Sequence, residues 1–261
     1  MNNEPSSPPS RLRLSAVIPA RNEEGIIRRA VEELRDELRR EGIDYEIVVV
    51  DDHSSDSTGA IVDEMSSEDA GVVAVHRRGG QGGFGRAIRE GLARATGETV
   101  VLVMGDGSDD PKDVVAYHRK LEEGYDCVFG SRFIAGSLVR DYPPHKLFVN
   151  RIANAFLRVL FMTRHNDLTN AFKGFRKHVI DAVQPLLSCH FNITIEIPLK
   201  AMNRGFSVAT VPIRWYGREA GVSKLKIREM GRKYLFIALY VWLEKWLLSD
   251  EVRPKARAAK S

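Results

Sequence analysis

The sequence predicts an α/β domain in which a mostly parallel central sheet carries helices on both faces. Three observations predict it: five short runs dense in Val and Ile, amphipathic helical patterns between them, and acidic, small-residue loops directly after three of the runs. Runs that stay apolar without alternation are those of strands buried on both faces. Strand and helix in regular succession specify a parallel sheet, whose ligands bind beyond the carboxyl ends of the strands.

The strand runs are 14–18, 46–50, 72–75, 99–103 and 126–129. Between the first two, residues 23–40 place Ile27, Val31, Leu34 and Leu38 on one face and charges on the other, which predicts an amphipathic helix. A second helix starts near Asp56, where Asp56 and Ser57 can cap it, and a third follows Gly83 and Gly85. Pro111, a favoured first-turn residue, opens a fourth. Beyond about residue 136 the alternation weakens. Helices are expected over 146–160, 177–187 and 193–204, an apolar-polar segment over 171–175, and a strand over 207–211.

At 261 residues the chain suits one main core with a C-terminal elaboration: a disordered lead (1–12), the α/β domain (13–225), an amphipathic helix (226–250) and a basic tail (251–261). Hydrophobic residues at 43% and charged residues at 28% exclude a disordered or collagen-like chain. Cys127 and Cys189, without CxxC spacing, exclude a disulfide scaffold or zinc ribbon and fit a reducing cytosol. The lead lacks the apolar core of a targeting peptide. Nucleic acid is a poor partner, because the net charge is only +4 and the sheet-edge loops are acidic. The aromatic stretch 234–248 is interrupted by Glu244 and Lys245 and falls short of the ~20 apolar residues a bilayer crossing needs. Lys224, Lys226, Arg228, Arg232 and Lys233 before it, and Arg253, Lys255, Arg257 and Lys260 after it, suit an interfacial helix on an anionic membrane. Trp242 and Trp246, on one face, fit headgroups, the core or a second subunit equally.

The chemistry lies in the loops 19–24, 51–58 and 105–110. Carboxylates gathered on one sheet edge repel one another unless a cation sits among them, and a hard divalent ion, Mg²⁺ or Mn²⁺, is the economical explanation. Asp106, directly after a strand in a glycine-flanked turn, is the first candidate ligand, whereas Asp56 reads mainly as a helix cap.

VIPARNEE (17–24), VVVDDHSSDST (48–58), RGGQGGFGRAIREG (78–91), MGDGSDDP (104–111) and GSRF (130–133) resemble, in order, the signatures of the family 2 glycosyltransferases of GT-A fold. DLTNAFKGFR (167–176) and the segment 191–225 resemble the polyprenyl (dolichol) phosphate mannosyl- and glucosyltransferases within that family. The resemblance implies that Pro19, Arg21 and Glu23 hold base and ribose, with Asp51 and Asp52 reading the base edge or ribose hydroxyls. Gly83, Gly85 and Gly105 fall where backbone approaches the nucleotide, although Gly83 and Gly85 equally suit the closing of a strand-to-helix turn. The metal motif departs from the family's Asp-x-Asp: Met104 stands at the first carboxylate, which leaves Asp106 with help from Ser108, Asp109 or the nucleotide phosphates. Arg132, Arg218 and Lys224 are the implied phosphate cations, with Ser131 and Ser223 as hydroxyl donors; Asp167, Thr169 and Asn170 lie near sugar or acceptor. Glu196 is expected as a structural partner of Lys200 or Arg214.

The implied activity is inverting transfer of a hexose, mannose or glucose, from a GDP- or UDP-sugar to a polyprenyl phosphate at the cytosolic membrane face, by a peripheral protein that could self-associate. Two alternatives stay open. A small-molecule or polysaccharide acceptor would need a base, for which Asp167 is the candidate. A non-catalytic nucleotide-sugar-binding protein is the reading that Met104 favours.

Overall fold

The computed structural model describes residues 12–217 and 227–247. Alternation runs as expected through β1 (Leu14–Ala20), α1 (Ile27–Arg40), β2 (Tyr45–Asp52), α2 (Thr58–Glu68), β3 (Val72–Arg77), α3 (Phe84–Arg94), β4 (Thr99–Leu102), α4 (Pro111–Glu122) and β5 (Cys127–Ser131). Then come β6 (Leu138–Arg140), α5 (Pro144–Phe161), β7 (Lys173–Arg176), α6 (Lys177–Ala182), α7 (Ile193–Asn203), β8 (Val208–Pro212), β9 (Arg214–Tyr216) and α8 (Ile227–Leu247).

Seven strands form the main sheet in the order β3-β2-β1-β4-β7-β5-β8, and only β7 runs antiparallel to its neighbours. Strand alternation splits the core into two layers. Ala16, Ile18, Ile47 and Val49 meet α1, α2 and α4 on one face; Val17, Val48 and Val50 meet α3 on the other, in a layer that also holds α7 and α8. Successive strands run outward from β1 to β3 on one side, while β4 lies on the other side of β1. That reversal opens a crevice at the carboxyl edge, where the loops after β1, β2 and β4 meet.

Four expectations are corrected. Helix α1 starts at Ile27 rather than residue 23, because the preceding backbone is committed elsewhere: the Glu23 and Glu24 N–H groups donate to Thr58 Oγ1 (2.8 Å) and Asp56 Oδ2 (3.2 Å). Segment 171–175 yields β7, slotted between β4 and β5 with Phe172 and Phe175 facing opposite layers. Helix α6 stops at Ala182. The short strands β6 and β9, unforeseen, pair in parallel as a second small sheet beside the metal-motif loop. Residues 1–11, 218–226 and 248–261 lie outside the described residues, and with them most of the lead, the basic tail, Arg218, Ser223 and Lys224.

Candidate active site

The loops after β1 and β2 are zipped together by their own polar side chains. Asn22 N–H donates to Ser54 Oγ (2.9 Å), Ser55 N–H to Asn22 Oδ1 (2.8 Å) and Ser57 N–H to Glu24 Oε2 (2.9 Å). Asn22 and His53 turn these loops in the left-handed region (φ 51° and 60°), which short polar and imidazole side chains tolerate better than most. Asp56 does not simply cap α2: its carboxylate accepts from Thr58 N (3.0 Å) and Thr58 Oγ1 (2.6 Å) as well as from the Glu24 backbone.

Neighbours on a strand face opposite ways, and this separates Asp51 from Asp52. Asp51 is fully buried and does not line the crevice, a correction to its expected place at the nucleotide. Its carboxylate accepts from Arg78 Nη2 (2.7 Å) and Ser54 N (3.1 Å) and lies 3.3 Å from His76 Nδ1. Burial pushes its carboxyl up, but these bonds outweigh burial and hold it below the usual carboxylate range. Asp52 lines the crevice, held by Arg77, by His53 Nδ1 (3.0 Å) and by the Gly83 N–H (2.6 Å). Gly82 completes this corner, since a Cβ there would come within 3.0 Å of Arg21 Nη1.

Gly83 and Gly85 serve packing first. A Cβ on Gly83 would fall 2.4 Å from Cys189 O, and on Gly85 2.6 Å from Ser188 O and 2.8 Å from His190 N. Only Gly83 reaches the crevice, so the expectation of Gly85 at the nucleotide is corrected. The 187–190 turn they admit is pinned by buried Glu196, which accepts from Leu187 N (2.8 Å) and Ser188 N (2.7 Å) and pairs with Lys200 (3.1 Å). Arg214 pairs instead with Asp113 (2.9 Å).

In the loop after β4, Asp110 caps α4 by accepting from Lys112 N (2.9 Å) and thus leaves the metal question to its neighbours. Gly105, Asp106, Ser108 and Asp109 line the crevice together with Met104. Asp106 Oδ1 accepts from Ser108 N (3.2 Å) and Asp109 Oδ2 from Met104 N (2.9 Å). Asp109 Oδ1 is buried without a hydrogen-bond partner among the described residues. Burial, reinforced by the charge of Asp106, raises the Asp109 carboxyl to about 8. Among the described residues no three acidic, His or Cys side chains form a ready-made metal cluster. The oxygens of Asp106, Ser108 and Asp109 nonetheless suit a hard cation that takes its other ligands from a diphosphate and water.

Arg132 and Asp167 form a buried clamp: Nε and Nη2 donate to the carboxylate at 2.8 and 2.7 Å, and the Arg132 N–H adds a third bond at 3.0 Å. The guanidinium lies 5.3 Å from the Tyr142 ring centre and 5.9 Å from that of Trp215. Arg132 lines the crevice, where a phosphate cation was expected, whereas Asp167 does not, which corrects the expected acidic residue at the sugar or acceptor. Ser131 is likewise committed, its hydroxyl donating to Asn166 Oδ1 (2.6 Å). Beneath the clamp, buried Lys173 donates from Nζ to Leu168 O (2.9 Å) and to Asn170 O. Burial lowers its ammonium to about 7, with Asp167 opposing and Arg132 reinforcing the fall. Thr169 Oγ1 accepts from Asn150 Nδ2 (2.8 Å) and Asn154 Nδ2 (2.9 Å), which ties this loop to α5.

The crevice is one cavity of about 880 Å³ with two characters. Pro19, Arg21, Glu23, Asp52 and the loop after β4 make its polar end. Ile152, Ala153 and Phe156 of α5, Phe191 and Ile195 beside and on α7, and Leu235 and Ala238 of α8 wall the other. Tyr142, Lys146, Asn150 and Trp215 also line it, and the sequence reading missed them. A helix over 146–160 was expected; that it walls a cavity depends on the distant α7 and α8.

A doubly wound sheet with acidic loops at its switch point, opening into a second chamber, is the architecture of a nucleotide-binding α/β domain. The GT-A fold is shared with glucosyl-3-phosphoglycerate synthase from Mycobacterium tuberculosis, solved with Mn²⁺, UDP and phosphoglyceric acid, which superposes with a TM-score of 0.67 at 18% identity, over 94% of this chain and 80% of that one. The chain belongs to Glycosyl transferase family 2, whose profile matches residues 15–183. It is 34% identical over 184 residues to the polyprenol monophosphomannose synthase of Mycolicibacterium smegmatis, covering 69% of each chain. It is 31% identical over 220 residues to the dolichol-phosphate mannosyltransferase of Pyrococcus furiosus, covering 82% of this chain and 60% of that relative.

Proposed function

We propose that this glycosyltransferase moves a hexose, mannose or glucose, from a nucleoside-diphosphate sugar to a polyprenyl phosphate, with inversion at the anomeric carbon. One observation carries the reading: the polar donor crevice continues, without a dividing wall, into an apolar chamber between α5, α7 and α8. A purely hydrophilic acceptor gains nothing from such a wall, whereas an isoprenoid chain gains about 25 cal/mol for each Å² it buries. The mannose synthases related to this chain carry polyprenol or dolichol phosphate in their names, which points the same way.

In this reading Arg21, Glu23 and Asp52 hold the nucleoside at the polar end. Asp106, with Ser108, would hold Mg²⁺ or Mn²⁺, which would supply charge neutralisation to the leaving diphosphate. A polyprenyl monophosphate arrives already ionised, so its oxygen attacks without a strong base, and the protein's task is alignment and charge stabilisation. Arg132, bonded to Asp167, and Lys146 are positive groups on the cavity wall that could meet the acceptor phosphate. Arg218 and Lys224 remain further candidates for the phosphates. Docking on a membrane surface fits the exposed apolar side chains of α5 and α8, among them Phe148, Val159, Phe236 and Trp246. No helix among the described residues is long and apolar enough to cross a bilayer.

The test is transfer of labelled sugar from a panel of GDP- and UDP-hexoses, with Mg²⁺ or Mn²⁺, into a short polyprenyl phosphate recovered in the organic phase. Lipid-linked product with inverted anomeric configuration is expected. Nucleotide release with water-soluble acceptors alone would reject the lipid; binding without turnover would reject catalysis.

A further inference from the structure

Met104 removes a carboxylate from the place where the family's metal motif begins, and a thioether is a poor ligand for a hard cation. Five residues on, Asp109 shows a complementary anomaly. Its side chain is only 7% exposed, one oxygen accepts from the Met104 N–H (2.9 Å), and the other has no hydrogen-bond partner among the described residues. Buried carboxylate oxygens without a donor are costly and uncommon. Here the expense is compounded by Asp106, a second carboxylate lining the same cavity. Arg132 offsets this only through its charge at a distance, because its Nε and Nη2 are bonded to Asp167 and give Asp109 no hydrogen bond.

The backbone that carries Asp109 is held in place. It bridges to Trp215, and the Tyr216 N–H donates to Ser108 O (3.1 Å), so β9 straps the loop from outside. The Asp109 carboxyl group thus lines the cavity with Asp106, one oxygen on the Met104 N–H and the other without a partner among the described residues.

We infer that Asp109 is the second protein carboxylate of the divalent-cation site in this chain, taking the part that Met104 cannot play. The inference rests on the donor half of the proposed function and is specific to the residues of this loop: a carboxylate lost at one end of the turn is replaced from the other end, across the bond that ties Asp109 to Met104.

The experiment reads metal binding directly. Mn²⁺ is titrated into the full-length protein with UDP, and separately with GDP, and free Mn²⁺ is followed by electron paramagnetic resonance; calorimetry gives nucleotide affinity with and without metal. Asp109→Asn keeps the shape and an acceptor for the Met104 N–H. It is expected to weaken Mn²⁺ binding in the presence of the nucleotide about tenfold or more, leaving metal-free nucleotide affinity within about twofold. Met104→Asp in the Asp109→Asn background is expected to recover most of that loss. Met104→Asp alone, which leaves Asp109 in place and does not depend on the folding of the first variant, is expected to tighten Mn²⁺ by less than about threefold, since the position is already served. Unchanged Mn²⁺ affinity in Asp109→Asn, or a gain of about tenfold in Met104→Asp alone, overturns the inference while the transferase reading stands. Failure of the wild-type protein to bind either nucleotide overturns both.

Discussion

Lys173 offers the most quantitative check on the architecture of the site. It is 1% exposed, hydrogen-bonded only to the Leu168 and Asn170 carbonyls among the described residues, and its ammonium is lowered by burial to about 7 from an ordinary 10.5. Between those values the unfolded chain holds a proton that the folded chain has released, so stability rises with pH across the window and is least below pH 7. One unit of mismatch is worth about 1.4 kcal/mol, and allowing for half-titration at the lower limit, the gain from about pH 7 to 9 comes to roughly 2 kcal/mol. Lys173→Met keeps length and apolar volume and removes the titration. Denaturant unfolding of both proteins at several pH values across that range isolates the residue, because every other group is common to the two. Wild type is expected to gain about 2 kcal/mol relative to the variant as pH rises. Parallel stability curves would refute the reasoning: Lys173 would then keep its proton inside the fold, and its two carbonyl partners would be compensating its charge in full.

Three further outcomes follow from the same geometry. Gly85→Ala forces a Cβ to within 2.6 Å of backbone that cannot yield cheaply, and is expected to cost about 1–3 kcal/mol by thermal or denaturant unfolding. Asp167→Asn strands the buried Arg132 guanidinium and is expected to destabilise by about 3–5 kcal/mol, read by denaturant unfolding. Phe156→Asp, on the apolar chamber wall, is expected to raise KM for the polyprenyl phosphate about tenfold or more while calorimetric nucleotide affinity stays unchanged; an equal loss of both would remove the division of the cavity into two chambers.

The strands and helices up to β5 were legible because their apolar periodicity is local and strong. Segment 171–175 was not read as a strand, since β7 is only four residues long and owes its place to pairing with β4 and β5 on either side. Residues of the site divide the same way. Asp52, Asp106 and Asp109 follow directly from strand-end position, and their loops are short. Asp51 was misplaced because a motif names two adjacent aspartates, while the pleat turns one of them to the opposite face, where Arg78 and His76 wait. Gly85 was ambiguous for a different reason: only the 188–190 backbone, a hundred residues away in sequence, decides that packing rather than ligand contact excludes its Cβ.

Both chambers of the cavity depend on contacts that cross between the two halves of the chain. The donor loops arise within residues 19–110, and the apolar wall arises from α5, α7 and α8. Three links join them: Gly83 and Gly85 against the turn pinned by Glu196, the Arg132–Asp167 clamp, and β9 strapped across the loop that carries Asp106 and Asp109. Each link uses buried polar groups that are costly unless satisfied, so each holds one geometry rather than a range of them. That is what transfer between two dissimilar substrates demands. Under the proposed function, a nucleoside-diphosphate sugar bound at one end and a lipid phosphate entering from the other must meet with their reacting atoms about 3 Å apart, and a rigid junction between the chambers keeps that meeting point fixed.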